Sequence, residues 1–129
     1  MPISSQQYSD ISNLLYTEKY SKAQIQLEQI LIKNPNDIQT QLLLGRCKLA
    51  QNKIKEALAI YEKIANRKMG GYLFEKAEAQ LVLHENHKAI ASLEAFLKEN
   101  SSNERALFLA AIASYKTGNI SKTQEYLEQ

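Results

Sequence analysis

Tryptophan is absent from this chain, cysteine occurs once, proline twice and glycine four times. One thiol forms no internal disulfide, which excludes the small stapled folds of secreted proteins. Cys47 falls within a predicted helix among packing residues, so a reduced interior thiol is expected. So few prolines and glycines leave little turn punctuation, and no long window alternates with period two. A sheet of many short strands is thereby excluded and helix favoured. No run approaches the length of a membrane span, and the first residues, Met1-Pro2-Ile3-Ser4-Ser5-Gln6-Gln7, carry neither a basic nor an apolar signal region. A soluble, cytoplasmic protein without membrane insertion is therefore expected. Charge of one sign is also missing. The 16 Lys+Arg against 14 Asp+Glu leave a formal net charge of +2, spread along the chain without a cationic block. Nucleic-acid binding gains no support from that balance.

What is present is a composition that folds: 129 residues, 44% hydrophobic and 23% charged, enough for one domain over 1–129. It is also periodic. A small residue recurs at Ala23, Ala57 and Ala89 and as Thr at Thr123, at steps of 34, 32 and 34 residues. Each of the first three opens the same stripe: Ala23, Leu27, Ile30, Leu31; Ala57, Tyr61, Ile64, Ala65; Ala89, Leu93, Phe96, Leu97. That is i, i+4, i+7, i+8, one buried face of an amphipathic helix, and Thr123 with Leu127 begins a fourth. Twelve residues before each slot stands Ile11, Gly45, Ala77 or Ala111. Around it lie two large apolar residues seven apart: Tyr8/Leu15, Leu42/Leu49, Phe74/Leu81 and Phe108/Tyr115. Seven residues is nearly two helical turns, so each pair shares a face.

The pattern predicts helices at about 5–17, 21–33, 37–50, 54–68, 72–84, 87–99, 103–117 and 120–128, with ends uncertain by about 2–4 residues. Ser4 with Gln7, and Ser101 with Glu104, have capping-box spacing, and Asn36 or Asp37 can cap the third helix. Gly118-Asn119 supplies a helix C-terminal turn. The short 32-residue step is placed at Gly70-Gly71, because glycine accepts the φ > 0 that a shortened turn demands. The eighth helix brings Tyr126 and Leu127 close to the last residue, where repeat arrays normally present a polar outer face. Further chain or a partner is expected over that end.

Leu44-Gly45, Ala57 and Tyr61 sit at the offsets of the L-G…A-x3-F core of a 34-residue helix-turn-helix repeat. Gly45 and Ala57 remove bulk where two antiparallel helices cross, and Leu44 and Tyr61 fill the gaps beside the crossing. The chain thus resembles the tetratricopeptide repeat (TPR) family, departing from its pattern with Gln41, Lys48 and Met69 at the tryptophan, tyrosine and closing-proline slots. The resemblance implies an all-α, right-handed superhelical solenoid of about four TPR-like repeats, at approximately 4–37, 38–69, 70–103 and 104–129, the last incomplete.

It also implies a non-enzymatic module for protein partners, whose first helices line a concave groove. By the contact positions of the family that groove carries Tyr8, Ser12 and Tyr16; Leu42, Arg46 and Leu49; Phe74, Glu78 and Leu81; and Phe108, Ile112, Tyr115 and Lys116. Chaperone-binding members hold a terminal carboxylate with Lys and Asn at the fifth and ninth positions of the first repeat. Tyr8 and Ser12 stand there instead, so an apolar or amphipathic segment is the expected ligand, oriented by Arg46, Glu78 and Lys116. For Leu15, Leu49 and Leu81 packing within and between repeats is favoured over contact, and for Tyr8, Tyr16, Phe74 and Phe108 core and contact balance. Ala106 to Ala113 is apolar without a break, more than stacking requires. Exposing Phe108 would forgo about 1.5–3 kcal/mol, so a ligand, a second subunit or further chain is expected over it.

Chemistry is poorly signalled. His84-Glu85-Asn86-His87 sets its histidines at i, i+3 rather than the i, i+4 of a zinc-protease helix, in a predicted turn and without a third ligand. No catalytic residue, metal or cofactor is expected. Two alternatives to peptide capture stay open: a scaffold that dimerises through the seventh and eighth helices, and an RNA-reading helical repeat.

Overall fold

The computed structural model describes residues 3–64 and 71–129. These residues are all-helical, and their elements fall into two compact units, Met1–Arg67 and Lys68–Gln129. The first holds α1 (Ser5–Tyr16), α2 (Tyr20–Lys33), α3 (Ile38–Ala50) and α4 (Ile54–Lys63). The second holds α5 (Gly71–Val82), α6 (Asn86–Leu97), α7 (Glu104–Lys116) and α8 (Ile120–Leu127). Helices follow the expected order, with ends within about two residues except at α4, which stops at Lys63 with Ile64 as its C-cap, five residues short of the expected 68. Of the fourth predicted helix, residues 65–68 lie outside the described residues, as do Ala65 of its stripe, the Met69 slot and Gly70 of the proposed short turn.

Every hairpin closes by the same turn. Glu18, Asn52, His84 and Gly118 have φ of 62°, 63°, 61° and 81°, one left-handed residue per hairpin. Around each, two backbone hydrogen bonds recur. Lys19, Lys53, Glu85 and Asn119 donate to the carbonyls of Leu14, Lys48, Gln80 and Ser114 at 2.8–2.9 Å. Glu18, Asn52, His84 and Gly118 donate to Leu15, Leu49, Leu81 and Tyr115. This is the Schellman arrangement, which satisfies the last carbonyls of the first helix and reverses the chain into the second. The left-handed residues keep the 34, 32, 34 steps. Each follows Ile11, Gly45, Ala77 or Ala111 by seven, so the two-residue shortening lies between the second and third hairpins and not inside one.

The crossing of α3 and α4 shows why a small residue is needed. Tyr61 and Ala57 are fully buried, and a Cβ on Gly45 would stand 2.8 Å from Cε1 and 2.9 Å from Cζ of the Tyr61 ring. The first unit is filled by Ile11, Ala23, Leu27, Leu43, Leu44 and Cys47. The second is filled by Ala77, Leu93, Phe96, Leu107, Ala110, Ala111 and Tyr126. Cys47 is the interior thiol expected: its Sγ lies 3.3 Å from the Tyr20 carbonyl, and burial pushes its pKa up.

Two local expectations are corrected. The cap of α7 is Asn103, whose Oδ1 accepts from the Ala106 N–H at 2.9 Å, and not Ser101. Asparagine caps as well as serine, and only residue 103 adjoins the first helical residue, Glu104. The buried residue of α8 is Tyr126, not Leu127. Tyr126 enters the core of the second unit, and its hydroxyl donates to Glu94 at 3.0 Å. The positions equivalent to Leu127 in α2 and α6, Leu27 and Leu93, are fully buried, and each of those helices packs against the first helix that follows. No described helix follows α8, and Leu127 stays 59% exposed. The capping box at Ser4 and Gln7 forms in both directions. At α3 the N-cap is Asp37, whose carboxylate accepts from the Ile3 N–H at 3.1 Å and from the Thr40 hydroxyl.

Candidate partner-binding surface

The amphipathic period decides what each first helix leaves outside. On α1, Tyr16 is 89% exposed, Tyr8 lies just within the exposed range and Ser12 is half-buried. On α3, Leu42 is buried, while Leu49 and Arg46 are half-buried and Arg46 is already engaged within the chain. The first helices of the first unit therefore offer two tyrosines, both on α1, while Ile25 and Ile32 are exposed on α2.

The second unit offers more. On α7, Phe108 is 57% and Tyr115 67% exposed, Ile112 between them is half-buried, and Lys116 is exposed without an ion pair among the described residues. The opposite side of the same helix, Ala106, Ala110, Ala111 and Ala113, is buried. On α5, Leu81 is buried in a cluster with Ala89 and Ala113. Phe74 is half-buried and leans on Phe96, their ring centroids 5.6 Å apart at 54°.

Two surface residues escaped the sequence reading. Arg105 lays its guanidinium 5.2 Å above the Phe74 ring and reaches Glu78 at 3.0 Å, joining α5 to α7. Val82, at the end of α5, is exposed. Arg105 holds the second position of its repeat and Val82 the thirteenth, both among the family's contact positions, which is the signal that could have found them. The Arg105–Glu78 pair is solvent-facing, so it contributes at most about 1 kcal/mol, and its main effect is to neutralise Glu78. Burial raises the Glu78 pKa above the ordinary carboxylate value, Arg105 opposes that rise and Glu75 adds to it. Of the three charges expected to orient a ligand, Lys116 alone stands unpaired among the described residues.

The described residues hold no group of three or more metal-capable side chains, and His84 serves as the left-handed residue of a turn. Among them no helix is long and apolar enough to cross a membrane.

Helical hairpins that repeat one turn, one small crossing slot and one buried stripe define a helix-turn-helix repeat protein. Two family models described as tetratricopeptide repeat match, over residues 14–81 and 74–122, the first alone spanning just over half of the chain. The chain belongs to the tetratricopeptide repeat family, a class of generally non-catalytic protein-interaction folds. Among solved structures, it is similar to a crystal structure of MamA at 16% identity and TM-score 0.85, covering 99% of this chain and 73% of that one. MamA 41-end from Desulfovibrio magneticus RS-1 is similar at 17% identity and TM-score 0.86, over 94% and 70%. A tetratricopeptide repeat protein from Parabacteroides merdae ATCC 43184 is similar at 20% and TM-score 0.83, over 96% of this chain and 52% of the other. At such identities the likeness concerns the fold. No curated protein sequence matches the chain.

Proposed function

We propose that this protein is a non-enzymatic adaptor or scaffold that holds an apolar or amphipathic segment of a protein partner against the exposed faces of its first helices. The observation that carries this reading is the stripe on α7: two large aromatics and an isoleucine face outward on a helix whose other side is already buried. Packing of the repeat needs only that buried side. An amphipathic helix would set residues at i, i+3/i+4 and i+7 against Phe108, Ile112 and Tyr115, with an acidic group toward Lys116. Tyr8 and Tyr16 give the first unit a lesser surface of the same kind. Leu42 and Leu81, being buried, shape the helices beneath rather than touch the ligand. Cytoplasm is the setting we infer, where a buried thiol such as Cys47 remains reduced.

The test is selection from a displayed library of random 20-residue peptides, followed by calorimetric titration of the winners. Enriched peptides should share helically spaced apolar residues. Phe108→Asp should lose their binding about a hundredfold or more while its far-ultraviolet circular dichroism stays that of the parent, because a side chain this exposed supports little of the fold. Unfolding of Phe108→Asp would make Phe108 a core residue and end this reading.

A further inference from the structure

The outward stripe of α7 reads almost the same in both directions. Along Glu104–Lys116 the exposed residues are Glu104 and Arg105, then Phe108, then Tyr115 and Lys116, with half-buried Ile112 among them, while Leu109, also half-buried, packs against the core clusters. Successive residues turn by about 100°, so the first six of these fall within roughly one third of the helix circumference. Glu104 and Lys116 form no ion pair among the described residues, so opposite charges of about 18 Å separation are left open at the two ends of one apolar strip. A strip with an open acid at one end, an open base at the other and apolar residues between complements itself when reversed.

We propose that α7 docks on α7 of a second copy, antiparallel about a two-fold axis that meets the outward face of α7 midway between Phe108 and Ile112. The symmetry of such a contact is isologous, so every pairing occurs twice. Glu104 then meets Lys116 of the other copy, Arg105 meets Tyr115, and Phe108 meets Ile112. Arg105 sits 5.2 Å over the Phe74 ring, held there by Glu78, and its side chain stays largely exposed, so it can meet the incoming Tyr115 ring. The inference rests on the reading of the α7 stripe as a contact face, and it names a second copy as an occupant. A contact built around one helix from each copy is smaller than the ~800 Å² per partner of a standard interface, so the dissociation constant falls on the order of 10–100 µM. At low concentration the stripe is open to a partner segment; at high concentration the copies cover it for one another.

The deciding experiment is sedimentation equilibrium of the full chain from about 5 µM to 1 mM, on the parent, Glu104→Lys, Lys116→Glu and the double variant. The parent should show a reversible monomer–dimer equilibrium. Each single swap turns two attractions into two repulsions and should weaken it about tenfold, and the double should return to within about twofold of the parent. Both swaps oppose the helix macrodipole, so the double is the least favoured helix of the series, and its recovery cannot come from stability. Phe108→Asp should be monomeric throughout. A parent that stays monomeric to 1 mM, a dimer indifferent to the swaps, or a double variant that fails to recover would each overturn the proposal. A monomeric parent that still selects peptides which Phe108→Asp rejects would overturn the dimer and leave peptide capture standing.

Discussion

Four residues carry the left-handed turn that reverses each hairpin; Gly118 is suited to it and Asn52 tolerates it. Glu18 and His84 hold the same conformation against the crowding of Cβ with the following carbonyl, which costs about 1–2 kcal/mol. His84→Gly should therefore raise stability by about 0.5–1 kcal/mol in urea titration, and Gly118→Ala should lower it by about 1 kcal/mol. Equal losses from both would mean that contacts, not backbone strain, rule these turns. Gly45 is glycine for another reason. Gly45→Ala would press its methyl group into the enclosed Tyr61 ring, and the better helix propensity of alanine recovers only about 1 kcal/mol. A net loss of about 1–3 kcal/mol is expected, visible as a lower denaturant midpoint. That Gly45 and Ala57 thin the crossing for Tyr61 was legible beforehand, because small and large residues alternate at fixed offsets. That residue 84 is the left-handed one was not, since histidine gives no conformational signal.

At the scale of the helix, periodicity told which side is inward and was silent about how far inward it goes. Phe74 shows the difference. Its spacing from Leu81 fits core and contact alike, and its half-burial follows from Phe96 beneath and Arg105 above, neither of which local pattern can specify. The caps were legible where one residue could serve, as at Ser4, and missed at α7 where Ser101 and Asn103 competed. Burial of Glu78 gives α5 a pH dependence with a definite sign, which the Arg105 bridge opposes without reversing. The folded pKa of Glu78 is raised, so protonation favours the folded form, and that contribution is complete at low pH and lost as pH rises through the raised value. Glu78→Gln lacks this dependence. Its stability relative to the parent should improve between about pH 4 and pH 7, measured by thermal melts at a series of pH values. A constant difference, or a variant that loses ground to the parent as pH rises, would show that Arg105 outweighs burial.

For the molecule as a whole, near-neutrality is the governing quantity. The net charge of +2 comes from signs interspersed along the chain, so little counterion release is available to drive binding to a phosphate backbone. A fluorescent single-stranded RNA of about 30 nucleotides should show no anisotropy change with ~10 µM protein at ~50 mM salt. Salt-sensitive binding under those conditions would revive the RNA-reading alternative. Recurrence made the family readable from the residues, because the same volume problem is solved four times at nearly constant spacing. The contact surface was less so. Packing demands a particular size at a particular step, whereas an exposed Tyr16 or Lys116 satisfies no internal demand and leaves no period behind.

The hairpin turns and the connectors between hairpins differ in one further respect. Each turn is the same three residues long, 17–19, 51–53, 83–85 and 117–119, with its backbone hydrogen bonds committed. The links from α2 to α3 and from α6 to α7 are four and six residues, 34–37 and 98–103. The boundary between helix and link is thus movable at one kind of junction and fixed at the other. A protein engineer wishing to splice in an epitope or a fluorophore-binding sequence has an open seam at 99–102, while a single added residue at 17–19 would throw the paired helices out of step.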